Sequence, residues 1–104
     1  MTPEIAARLE SLRIQLAAQG KDYCMFLREN CVALAQFRDG AFTSIGSSGM
    51  MTEKGLAYLF WNEGRPMLAA HGGAQIPAGP DQVEAIRSFS ADLETALNLQ
   101  NQNR

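Results

Sequence analysis

Residues 55–73 read GLAYLFWNEGRPMLAAHGG, and the reading of this stretch decides the fold. Two apolar runs flank Asn62-Glu63-Gly64, and Pro66 is the only breaker inside them. Short turn residues between apolar runs predict a β-hairpin. A two-residue Glu63-Gly64 turn would set Trp61 opposite Pro66. A three-residue turn with a left-handed Gly64 would set Trp61 opposite Arg65. One face of the first strand carries Leu56, Tyr58 and Phe60, and the other carries Ala57, Leu59 and Trp61. A hairpin wet on one side alternates apolar with polar residues. This one does not, so each of its faces needs a cover.

Upstream the same two-residue period continues. Residues 31–37 read as a strand, Asp39-Gly40 as a tight turn, and residues 41–45 as the returning strand. In that register Phe37 faces Phe42, a favourable cross-strand aromatic pair. The short apolar run 23–27 is taken as a further strand rather than a continuing helix. If it turns back at Glu29-Asn30, Cys24 stands opposite Ala35. Residues 46–54, GSSGMMTEK, read as a flexible loop, and residues 72–79 as a second loop.

At the two ends the period lengthens to that of a helix. Thr2 can cap a helix, Pro3 suits its first position, and Glu4 favours the positive end of its dipole. Ile5, Leu9, Leu12 and Leu16 form its stripe, which predicts a helix over 3–19 stopped by Gly20. Val83, Ile86, Phe89, Leu93 and Leu97 form the stripe of a second helix over 80–97. The order is helix, four or five strands in an antiparallel meander, helix (α-β-β-β-β-α). That is an α+β two-layer sandwich of one domain, residues 1–97. Residues 98–104 are expected to be a polar, disordered tail.

Composition narrows the partners. The chain has 104 residues, a formal charge of −2 and no basic stripe, which argues against a nucleic-acid surface. No apolar run approaches the ~18–20 residues that span a bilayer. The N-terminus lacks the charged start and apolar core of a signal peptide, so a cytoplasmic location is expected, with no membrane partner.

No pattern dictates a chemistry, and the expectation leans away from an enzyme. Cys24, Cys31 and His71 fall short of the four ligands, usually in tight pairs, of a zinc site. The two cysteines read as small buried hydrophobes, with no metal or cofactor expected. Neither serine of Gly46-Ser47-Ser48-Gly49 has glycines two residues away on both sides, so no nucleophile elbow is present. The loop also lacks the Lys-Ser/Thr ending of a phosphate-binding loop. Asp39 and Glu63 are turn residues.

Two helices can cover one face of such a sheet and not both. The face expected to remain open is Ala57, Leu59, Trp61, Leu68 and Ala70 in the two-residue-turn register; the other register replaces Leu68 and Ala70 with Met67 and Ala69. Large exposed apolar patches mark interaction sites. The candidate binding residues are therefore Leu59, Trp61 and Leu68, joined by the adaptable side chains of Met50 and Met51. The expected function is a non-enzymatic protein-binding, adaptor or chaperone-like module acting as a homodimer, with a protein or peptide partner. The alternative is a small ligand-binding protein or enzyme with a site near Cys24, His71 and the 46–54 loop. In element order alone the chain resembles roadblock-type adaptors, frataxin-like iron proteins and the acidic dimeric chaperones of secretion systems. The first helix carries Arg8 and Arg13 where a frataxin-like protein would be acidic.

Overall fold

The structure is a computed structural model that describes residues 1–70 and 72–99. In chain order it has α1 (Pro3–Ser11), β1 (Gln15–Gln19), β2 (Tyr23–Arg28), β3 (Cys31–Arg38), β4 (Ala41–Thr52), β5 (Gly55–Asn62), β6 (Arg65–Ala70), β7 (Gln75–Pro77) and α2 (Pro80–Ala96). The α+β class and the antiparallel meander are as the sequence implies. The strand number is not: seven strands run in spatial order β1 to β7, where four or five were expected.

The first added strand comes from the helix ending early. Thr2 caps α1 through its hydroxyl, which accepts the Ile5 N–H at 3.2 Å. Arg13 then takes a left-handed backbone, φ 61°. The Arg13 N–H donates to Glu10 O at 3.0 Å and the Ile14 N–H to Leu9 O at 2.9 Å. These are the two bonds of a Schellman ending. The chain leaves α1 there, and residues 15–19, expected as helix, form β1. The same ending closes α2: Asn98 has φ 59°, and Asn98 and Leu99 donate to Thr95 O and Glu94 O at 3.1 and 2.9 Å. Leu99 is consequently folded back and only 3% exposed. The fold thus runs through Leu99, beyond the expected boundary at 97. Residues 100–104, expected to be a disordered tail, lie outside the described residues.

The residues expected to form loops supply strand as well. Residues 46–52 belong to the twelve-residue strand β4, and residues 75–77 form β7. β4 absorbs its extra small residues as bulges. It gains one residue on β3 between the pairs Ala33↔Ser48 and Ala35↔Ile45, and another between Gln36↔Ser44 and Phe37↔Phe42. The turns behave as their residues require. Glu63 and Gly64 sit at φ 53° and 80°, Asp39 and Gly40 at φ 54° and 81°, the primed geometry of two-residue hairpins. Trp61 accordingly faces Pro66. Phe37 faces Phe42, their rings edge-to-face at 5.0 Å. Cys24 faces Ala35.

Both helices pack on one sheet face. The core joins Leu9, Ile86, Phe89 and Leu93 of the helices to Phe26, Ala33, Ala35, Phe42, Ala57 and Leu68 of the strands. Arg28 ties the layers together. Its Nη1 donates to Asp92 Oδ2 at 2.7 Å and to Leu12 O at 3.1 Å, and its guanidinium lies 5.5 Å from the centre of the Phe89 ring. Arg8 Nε donates to Ala96 O at 2.9 Å, satisfying a carbonyl that the last turn of α2 leaves open.

Candidate interaction surfaces

The register decides which face the helices cover. Cross-strand pairs share a face, so Ala57, Ala70, Leu59, Leu68, Trp61 and Pro66 lie together. Leu68 in this set is 0% exposed and Ala57 is buried, both within the core. The face expected to be open is therefore the covered one. The face left open is its opposite: Leu56, Tyr58 and Phe60 of β5 with Met67 and Ala69 of β6, continued by Met25, Leu27 and Leu34 of β2 and β3. These eight are only partly buried and none belongs to the core that the helices join, whereas Val32, set on the same face opposite Leu27, is 3% exposed.

The candidate residues are accordingly divided. Leu68 is core. Leu59 is partly buried on the helix side. Trp61 sits at the end of β5 beside α2, 49% exposed, with the Arg87 guanidinium 4.9 Å from its ring centre. Met50 pairs with Ala57 on the helix side, whereas Met51 pairs with Leu56 on the open side. Met51 is 49% exposed.

The two methionines instead meet at one end of the sheet. A hollow of about 510 Å³ opens there, lined by Met50, Met51, Lys54 and Ile76, with Asn30 and Gln82 at its margin. Gln82 is partly engaged, since its Oε1 accepts the Gly79 N–H at 2.8 Å. Two other residues were expected to belong to a ligand site. Cys24 is buried in the core, and His71 lies outside the described residues. Burial pushes the Cys24 thiol up from its ordinary value. It does the same for Cys31, against the pull of the Arg28 charge and with a small addition from Glu29. Such thiols are poor nucleophiles. Among the described residues, no three His, Cys, Asp or Glu side chains converge as metal ligands would. No described helix is long and apolar enough to cross a membrane.

A further feature escapes the sequence altogether. β4 and β5 pair only over Gly49↔Tyr58 to Thr52↔Gly55. Beyond that point both strands continue, β4 back to Ala41 and β5 on to Asn62, bonded to β3 and β6 respectively but not to each other. The sheet is split there by a notch. A hollow of about 260 Å³ occupies it, with Gly46 and Ser48 on one wall, Leu59 on the other, and Arg87, Ser90 and Glu94 of α2 as the floor. Ser48 Oγ donates to Ser90 Oγ at 3.2 Å, tying the floor to the β4 wall. The split begins where β4 carries its bulge at 46–47, which bends the strand away. The only sequence signal was the run of small residues in GSSG, which looks the same in a loop as in a bulged strand.

The chain matches no protein-family model, no curated protein and no solved structure.

Proposed function

We propose that the protein is a non-enzymatic protein-binding module that acts as a two-fold homodimer through the open sheet face. The single observation that carries this reading is that face: Leu56, Tyr58, Phe60, Met67 and their neighbours stand on the side of the sheet away from both helices. Its size suits a second copy. Seven strands at the usual spacing span roughly 30 Å, and six residues of strand run roughly 20 Å. Two copies would then bury on the order of 1,200 Å² in all, at the threshold of specific interfaces. Its charge suits a second copy as well. Among the described residues the register puts no acid on the open face, and the two cations there, Arg38 and Arg65, lie at strand ends. A neutral apolar centre can face its own copy without like-charge repulsion, the requirement of a two-fold contact.

Sedimentation equilibrium tests this directly. The expected mass is twice the 11.4 kDa of the chain, and Phe60→Lys should return it to that of one chain while α2 and the core persist by circular dichroism. A single-chain mass for the unaltered protein at hundreds of micromolar overturns the reading. The second reading, a small-ligand protein, rests on the 510 Å³ hollow at Met50, Met51 and Ile76. A hollow of that volume lies within the range of ligand pockets.

A further inference from the structure

The notch between β4 and β5 presents two open strand edges that face the same gap. Open edges bind strands unless they are guarded, and proteins guard them with Lys, Pro, brevity or a cover. The outer edges of this sheet show such protection: β7 is three residues long and ends in Pro77, and β1 is five residues long with a bulge between Leu16 and Ala18. The notch shows less, with Glu94 and Leu99 at the end of α2 beside Thr43–Ile45 of β4. Residues 41–48, AFTSIGSS, hold no charge and no proline. The facing arm, Leu59–Asn62, is likewise uncharged. The bulge at 46–47 twists β4 but does not fill the gap that it opens.

We propose that this notch takes an extended peptide, a linear segment of a partner protein that adds one strand between β4 and β5. A second folded copy does not fit the gap. The added strand must bond on both of its edges, and every described strand is already paired along at least one. The occupant is therefore a segment with no sheet of its own, the mode of strand addition seen where exposed edges recruit linear peptides. Its side chains alternate. Those facing α2 enter a hollow of about 260 Å³ where Ser48 and Ser90 stand among Ile45, Leu59 and Ile86, so they are small. Those facing outward lie between Ser44 of β4 and Phe60 of β5. The floor adds a charge preference. Arg87 and Glu94 lie two helical turns apart, about 10 Å along α2, so the segment carries an acidic side chain towards Arg87.

This proposal goes beyond the dimer reading and does not depend on it. The open face and the notch are different surfaces, and a chain that sediments as a monomer can still take the peptide.

The probe is an acetylated, amidated octapeptide that alternates valine with serine and one aspartate, titrated into the full ¹⁵N-labelled chain. Amide shifts are expected along Phe42–Ser48 and Leu59–Asn62, and they should vanish when the peptide is N-methylated at every second amide. Arg87→Glu should weaken this peptide about three- to fivefold and strengthen its lysine counterpart similarly, the size of a partly exposed ion pair. The reciprocal gain shows that the variant is folded. No shifts at millimolar peptide, or shifts confined to Gln15–Gln19 or the open face, overturn the proposal. So does a peptide whose N-methylated form binds equally well. Contacts from residues 100–104 to Thr43–Ser48 in the free chain would give the notch to the chain's own end. A dimer that dissociates as the peptide binds would give it to a second copy.

Discussion

Replacing Gly49 with alanine should pull the sheet apart at the closed end of the notch. Gly49 is buried in β4, paired with Val32 on one side and Tyr58 on the other. A Cβ placed there would collide with the carbonyl oxygen of Ala57 and come within 2.9 Å of Tyr58 Cα. These are backbone atoms, so no side-chain rotation relieves the clash. The only relief is for β5 to move off β4, along a ladder only four pairs long. Overpacking of this kind costs about 1–3 kcal/mol, and one or two loosened ladder bonds add about 1 kcal/mol each. The sum, about 2–5 kcal/mol, lowers the thermal midpoint by roughly 10–25 °C for a domain of this size. Gly46, three residues earlier in the same strand, is the control. Its added Cβ would lie 3.6 Å from Leu34 O, an ordinary contact, and alanine there removes freedom from the unfolded chain. Gly46→Ala should therefore be neutral or stabilising by up to about 1 kcal/mol. Urea and thermal unfolding, followed by Trp61 fluorescence at one fixed protein concentration, measure both variants. Amide exchange should show β5–β7 losing protection in Gly49→Ala before β2–β3. A Gly49→Ala chain within about 0.5 kcal/mol of the unaltered one, a change typical of a neutral surface position, would refute the geometry. So would a Gly46→Ala chain that costs as much.

Two other perturbations test how the layers are held and what the buried thiols do. Asp92→Ala should cost about 0.5–1 kcal/mol, because the Arg28–Asp92 pair is 21% and 36% exposed and partly screened. Arg28→Ala should cost more, about 1.5–3 kcal/mol, since it also removes the donor to Leu12 O and the contact with Phe89. A double-mutant cycle whose coupling falls with added salt supports the pair, and equal costs for the two single variants refute it. The cysteines set an alkaline limit. Burial raises both thiols above the ordinary 9.0, so at neutral pH folded and unfolded chains hold these protons alike. As pH rises past about 9 the unfolded chain releases its thiol protons first, and stability falls towards the folded values. Urea midpoints from pH 7 to 10 should show this fall, and Cys24→Ala/Cys31→Ala should flatten it. Parallel curves for the two proteins would refute it.

The hairpins were legible because their turns are chemically strict. Asp39-Gly40 and Glu63-Gly64 take left-handed backbones that match the strand twist, and each fixes a register. The helix boundary at Ser11 was not legible. The stripe Ile5, Leu9, Leu12, Leu16 continues the helical period through the stop, and the left-handed residue is Arg13, a side chain that carries no such signal. Leu16 pairs with Phe26 in the edge strand and stays 42% exposed. Residues 46–52 failed for the opposite reason. Small polar residues suit a loop, but tertiary pairing with β3 overrode that preference and stored the surplus in bulges. The notch follows from those bulges, which no local pattern announces.

The open face is the opposite of the one expected. Alternation assigns residues to two sets without saying which set meets the helices. Under the helices the strands mix small side chains, Cys24, Cys31, Ala33, Ala35, Ala57 and Ala70, with large ones, Phe26, Phe37, Phe42, Leu59 and Leu68. The Ala and Cys positions let helices approach closely, and Phe89, Leu93 and Ile86 of α2 fill the space that the small residues leave. On the other face the same strands present Met25, Leu27, Leu34, Leu56, Tyr58, Phe60 and Met67. Large apolar side chains are not needed there to complete this core, which closes on its own helices without them. Solvent makes them a liability rather than a support, so their presence favours a surface built to be covered. Lysine at Phe60 should therefore disturb association far more than it disturbs folding, whereas lysine at Leu68, fully buried beneath the helices, should unfold the chain.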